Sequence, residues 1–228
     1  MIKEKKLSAK THVYQSIKKA ILNRNISPGV QLVESVIASK LSVSRTPIRA
    51  AIKELEQEGL VDVIPNRGAF VINPSIEEIE QVYKARLELE MIGFKYGKEH
   101  INDQVIKTLE DLIKVEENTY KDRDFIKNLE VNKEFHMTIA RTCHNKYLID
   151  FIEQAINKSN VHLIFYDRFF EVHDENNIRG LQEHKQLVQS LKEQDFEKVE
   201  NLLSKHIMNT LYELKENQNK YPLNNSFI

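Results

Sequence analysis

The 228-residue chain has a single cysteine, Cys143. One thiol cannot close an internal disulfide, and such usage fits a reducing, cytoplasmic setting. Glycine and proline are scarce, at 6 and 5 residues, which favours a mostly helical chain with few long loops. No run approaches the roughly 18 apolar residues of a membrane span, so no membrane partner is expected. The opening "MIKEKKLSAKTHVYQ" lacks the apolar core of a secretory signal. A nucleophile motif, a phosphate-cradling loop and an evident general base are also missing, which argues against an enzyme.

What the chain does have is enough apolar material, 41%, for a real core, and a length suited to one or two domains. Its net charge of −1 conceals a split: residues 1–74 hold 12 Lys+Arg against 6 Asp+Glu, a net of +6, and residues 75–228 hold 21 against 28, a net of −7. A basic module joined to an acidic one is expected. The basic module suits nucleic acid, because neutralising phosphates supplies most non-specific binding energy.

Within residues 11–24, Val13, Ile17, Ala20 and Ile21 share one helical face. "SPG" at 27–29 breaks the chain, and a short helix is expected over 34–41. Ser44 or Thr46 can cap a third helix, Pro47 suits its first turn, and Gly59 ends it. Ile48, Ala51, Ile52 and Leu55 form its buried stripe. "LVDVI" and "AFVI", separated by "PNRG", then read as a hairpin. Helix, short helix, turn, helix and hairpin make a winged helix-turn-helix. The third helix carries its charges against its dipole, with Arg45 and Arg49 early and Glu54, Glu56 and Glu58 late. A recognition helix explains this order: its N-terminal residues face base edges in the major groove, where arginine pairs bidentately with guanine. The acidic end is expected to be hydrated, away from DNA.

Residues 14–71, with "SRTPIR", "L..EGLV" and the wing "PNRGAFV", resemble the DNA-binding domain of GntR-type bacterial transcription regulators. The resemblance implies contacts to a double-stranded DNA operator from Ser44, Arg45, Thr46 and Arg49 on the helix, and from Arg67 and Gly68 in the wing, with Asn66 shaping its tip. Many relatives add a basic contact at the start of the second helix; "VESV" offers none here.

After a short linker at Asn73 and Pro74, Ser75 and Glu78 form a capping box. Helices are expected from there to about residue 100 and over 103–120, 124–142, 146–171, 177–193 and 196–217. Asn102, Asp124 and Asp195 are N-cap candidates. With no β-alternation, the second domain reads as an all-α antiparallel bundle, and the tail from residue 220 as loosely ordered. The expected domains are 1–73, binding DNA, and 74–228, binding an effector and dimerising.

Bundles build ligand and metal sites from facing interior side chains. In "LEVNKEFHMTIARTCHNKYL", Asn132 and His136 are four apart and share a face. His184 and His206 lie on separate amphipathic segments. Three imidazoles and an oxygen would suit Zn²⁺ or a similar ion; on spacing alone, however, capped, hydrogen-bonded or exposed histidines are the favoured reading. Residues 75–215 resemble the FCD effector domain of the FadR-type branch of GntR regulators, through Asn132, "FH" at 135–136, "N.YL" at 145–148, "EH" at 183–184 and His206. The resemblance implies a divalent ion, Zn with Ni or Mn as alternatives, on His136, His184, His206 and Asn132. Asn in place of the usual Asp lacks a charge and should lower affinity. Proton competition should weaken binding below about pH 6.5. The resemblance also implies that Arg86 faces an effector pocket, where its fork suits a carboxylate; alone, Arg86 and Glu90 equally make a surface i,i+4 pair.

The expected function is a ligand-responsive transcription regulator that binds a palindromic operator as a homodimer and answers to a small organic acid. The alternative is a metal-sensing repressor in which the ion is the signal.

Overall fold

A computed structural model describes residues 8–169, 171 and 178–218. The tail from residue 220, and parts of the helices expected over 146–171 and 177–193, lie outside the described residues. The chain divides into two compact units, with Pro74 closing the first and Ser75 opening the second.

In the first unit, α1 (Ala9–Leu22) starts at Ser8, whose hydroxyl accepts from Thr11 N. The helices α2 (Glu34–Leu41) and α3 (Arg45–Gln57) follow, joined by a turn in which Ser42 takes φ +53°. The apolar stripe of α3 packs against that of α1, burying Ile17, Ile21, Ile48 and Leu55 completely. Gly59, at φ +73°, ends α3: its N–H and that of Leu60 donate to Glu56 O and Leu55 O, closing the last turn as a Schellman motif. The strands β1 (Val61–Ile64) and β2 (Gly68–Val71) pair antiparallel, Val61 opposite Val71 and Ile64 opposite Gly68. The stretch after "SPG", read from sequence only as a break, pairs with β2: Leu32 N donates to Ala69 O and Val71 N to Val30 O.

The second unit is the expected helical bundle. The first helix, α4 (Ile76–Gly97), opens on the Ser75–Glu78 capping box. It is followed by α5 (Asp103–Asp122), α6 (Phe125–Arg141), α7 (Lys146–Tyr166), α8 (Arg179–Lys192) and α9 (Phe196–Gln218). Asn102 and Asp124 cap α5 and α6, and Asp195 Oδ1 accepts from Lys198 N at the start of α9. Asn145, noted above only as a motif residue, caps α7 by accepting from Leu148 N. That helix stops five residues before the expected 171. Asp167 is extended and its carboxylate accepts from Phe169 N, a local bond that competes with continuing the helix. Against α4 pack α6, α7 and α9; α5 lies against α6 and α8. Tyr83, Phe94, Leu109, Phe135 and Ile207 are fully buried between them.

Candidate functional site

On the first unit, Ser44, Arg45, Thr46 and Arg49 are all exposed at the start of α3, as are Asn66, Arg67 and Gly68 at the hairpin tip. Ser44 is the N-cap, but its hydroxyl makes no cap bond. Asn66 takes φ +61° and Gly68 φ +102°; a Cβ on Gly68 would also lie 3.0 Å from Gln31 Nε2, the atom that donates to Arg67 O. The tip is therefore shaped for glycine and held from residue 31. Arg49 Nε donates to both oxygens of Glu34, at 2.9 and 3.0 Å. The acidic end of α3 differs from expectation. Glu54 pairs with Lys10 at 2.5 Å, and Glu58 with Lys18 at 2.7 Å and with the Tyr14 hydroxyl. Lysines of α1 offset the unfavourable dipole placement, so these carboxylates are not simply hydrated.

In the second unit, His136 on α6, His184 on α8 and His206 on α9 converge. One ring nitrogen from each lies within 4.8 Å of the others, and all three side chains are buried. Each donates Nδ1–H to a carboxylate: His136 to Glu90 at 2.7 Å, His184 to Glu116 at 2.8 Å, His206 to Glu183 at 2.8 Å. That bond fixes the tautomer and leaves Nε2 with a lone pair. The Nε2 atoms of His136 and His184 are buried without a hydrogen-bond partner. Burial pushes His136 down to about 4 and His206 to about 3. Burial thus favours the neutral imidazole, the form that ligation requires.

A cavity of about 430 Å³ adjoins the histidines; His184, His206, Asn128, Asn132 and Arg86 line it. Asn132 is half-buried, one turn before His136. Arg86 is not a surface pair member. It is buried, bonded through Nε to Glu90 at 2.5 Å and through Nη1 to Ser159 at 3.0 Å, while Nη2 has no partner. Burial opposes ionisation of Glu90, but His136 and Arg86 beside it hold its carboxyl well below the usual range. The orphaned guanidinium nitrogen of Arg86 thus belongs to a side chain lining the same cavity as His184 and His206.

Residues 9–71 match the bacterial regulatory proteins of the gntR family, and residues 81–209 match the FCD domain. The chain belongs to the GntR family, with an FCD domain as its second unit. It is 26% identical over 216 residues to YdhC, an uncharacterized HTH-type transcriptional regulator of Bacillus subtilis (strain 168), covering 90% of this chain and 93% of that protein. Over 132 residues it is 33% identical to the gluconate operon transcriptional repressor of Bacillus licheniformis, covering 57% and 53%. The fold matches E. coli McbR/YncC at a TM-score of 0.67 and 21% identity, covering 92% of this chain and 98% of that one. These families and relatives are transcription regulators rather than enzymes.

The three carboxylates behind the histidines escaped sequence reading. Glu90 was visible only as a partner for Arg86, and Glu183 only as half of "EH", whereas it serves His206 rather than its neighbour. A buried acid on an apolar helix face is the one available signal: in "TLEDLIKVEENTY", Glu116 falls three residues after Ile113, in line with Leu109. Among the described residues, no helix is long and apolar enough to cross a membrane.

Proposed function

We propose that this GntR-family DNA-binding regulator binds an inverted-repeat operator as a homodimer and is controlled by a small organic acid held in its FCD domain beside a divalent ion. The observation that carries this reading is the unpartnered Arg86 Nη2 on the same cavity as the histidine cluster. His136, His184 and His206 would hold the ion through Nε2, with Asn132 as an oxygen donor. Such a donor set suits Zn²⁺, with Ni²⁺ or Mn²⁺ as weaker fits. The ion would tie α6, α8 and α9 together and attract a carboxylate, whose other oxygen Arg86 would take. Cavity size and polar lining suit a sugar acid, in keeping with the gluconate operon named for one relative. Ser44, Arg45, Thr46 and Arg49 would read the major groove, and Asn66, Arg67 and Gly68 would contact the flanking backbone.

The experiment is a thermal-shift titration of chelator-stripped protein with Zn²⁺, then with sugar acids at saturating Zn²⁺. Binding at 100 times Kd adds about 2.7 kcal/mol of stability. Zn²⁺ should stabilise the wild type and Asn132→Asp more strongly, and His184→Ala not at all. Arg86→Gln should keep the Zn²⁺ shift and lose the acid shift. A wild type that takes up no ion would reject the metal centre; an unchanged acid shift in Arg86→Gln would reject the anchor.

A further inference from the structure

We infer that Glu90 couples the ion to the acid, so that each raises the affinity for the other, an inference that rests on the reading proposed above and deepens it. Glu90 is a positioning residue, acting through the two side chains that would hold those ligands. Its single carboxylate is shared between them. Oε1 accepts from Arg86 Nε at 2.5 Å, and Oε2 accepts from His136 Nδ1 at 2.7 Å. An arginine and a carboxylate commonly pair side by side through two parallel bonds. Here the second oxygen goes to the histidine instead, and Arg86 keeps Nη2 without a hydrogen-bond partner. Its Nη1 donates to Ser159 on α7 at 3.0 Å, so the guanidinium is held at two points while one nitrogen stays open. His136 is held in the same manner: Nδ1 is fixed by Glu90, and Nε2 has no partner. One unsatisfied atom thus stands on each side of Glu90, a donor on Arg86 and a lone pair on His136. Buried polar atoms left unpaired cost stability, and a ligand that satisfies either one removes that cost.

Arg86, Glu90 and His136 are all buried, and in such surroundings linked hydrogen bonds polarise one another. An ion on His136 Nε2 would draw electron density through the ring and strengthen the Nδ1–H bond to Glu90. With its charge pulled toward the histidine, Glu90 would neutralise Arg86 less, and the guanidinium would hold an incoming carboxylate more tightly. The reverse route runs through the same atoms. An acid on Nη2 would take over part of the balancing of Arg86 and free Glu90 to polarise His136, which makes Nε2 the more basic ligand. Binding linkage requires the two gains to be equal. Glu183, the carboxylate behind His206, is placed differently. Its other oxygen accepts from Asn209 at 2.6 Å. The arginine near it, Arg179, is 3.5 Å away and lies closer to Glu213, at 2.6 Å.

The test is calorimetric titration of the chelator-stripped full chain with each of a panel of aldonic and uronic acids, with and without saturating Zn²⁺. In the wild type, Zn²⁺ should tighten binding of the acid by about 10-fold or more, within the usual range of coupling between sites. In Glu90→Gln that factor should shrink by about 3-fold or more. A merely structural role would lower both affinities and leave the factor unchanged. If the variant misfolds, the wild type answers through the Arg86 Nε–H proton resonance, which should move upfield on adding Zn²⁺ as Glu90 yields to His136. A resonance that stays in place would overturn the coupling. An equal factor in Glu90→Gln would overturn it too, while leaving the ion and the acid standing. A wild type that takes up no Zn²⁺, or binds none of the acids, would overturn the proposed control and this coupling together.

Discussion

If α3 reads DNA as proposed, Glu34 would bear on that reading without touching a base. It accepts from Arg49 Nε with both oxygens, which leaves the two terminal amino groups of the guanidinium for a guanine edge, the bidentate pairing arginine uses there. On the proposed recognition helix it would also set a negative charge near the phosphates. Its removal should therefore act in two directions. Glu34→Gln should bind random duplex DNA more tightly, because one repulsive charge is gone. It should also discriminate less, by about 10-fold, between sites that the wild type selects from a random pool and sites with the contacted base changed. Gel-shift titration of both DNAs measures the ratio; a uniform loss of affinity would show a merely structural role. None of this was legible in the sequence, where "VESV" was noted only for lacking a basic contact. The same holds for Glu116 and His184, which are 68 residues apart, so no local period links them. Residue types and helix faces can be read locally, but pairings between helices depend on which faces meet.

At the scale of elements the sequence reads far more completely, because helix starts and stops are local chemistry. Ser75, Asn102 and Asp124 cap where they were expected to, and the Gly59 stop closes α3. What local chemistry does not show is how closely two elements approach. Gly97, at the end of α4, carries no positive φ; its reason is proximity. A Cβ there would lie 2.8 Å from the backbone N of Cys143, just beyond α6. Main chain cannot swing aside as a long side chain can. Gly97→Ala should therefore destabilise the bundle by roughly 1–3 kcal/mol, the usual cost of overpacking, although alanine is the better helix former by about 1 kcal/mol. Gly180→Ala in α8, where a Cβ meets nothing within 4 Å, should be neutral or stabilising. Urea unfolding of the two variants separates crowding from propensity.

For the whole molecule, the balance of charge and burial sets how stability responds to acid. His162 makes a clean case because it stands outside the three-histidine cluster. It is 5% exposed, stacks on Tyr83 at 6.2 Å between ring centres, and its Nδ1 has no partner. Burial pushes it down to about 4; the Glu78 carboxylate opposes that shift and the Lys158 ammonium adds to it. In the unfolded chain it titrates near 6.5. Between those values the unfolded state binds a proton that the folded state refuses, so stability is full above pH 6.5 and declines as pH falls toward 4. The contribution lost over that window is roughly 2–3 kcal/mol at about 1.4 kcal/mol per pH unit. His162→Gln cannot take the proton in either state. The stability of wild type relative to this variant, measured by urea unfolding at fixed ionic strength, should drop steadily from pH 6.5 to 4.5 and stay flat from 6.5 to 8. A difference independent of pH would mean that the folded bundle lets His162 protonate as freely as the unfolded chain does, and would remove burial as the cause.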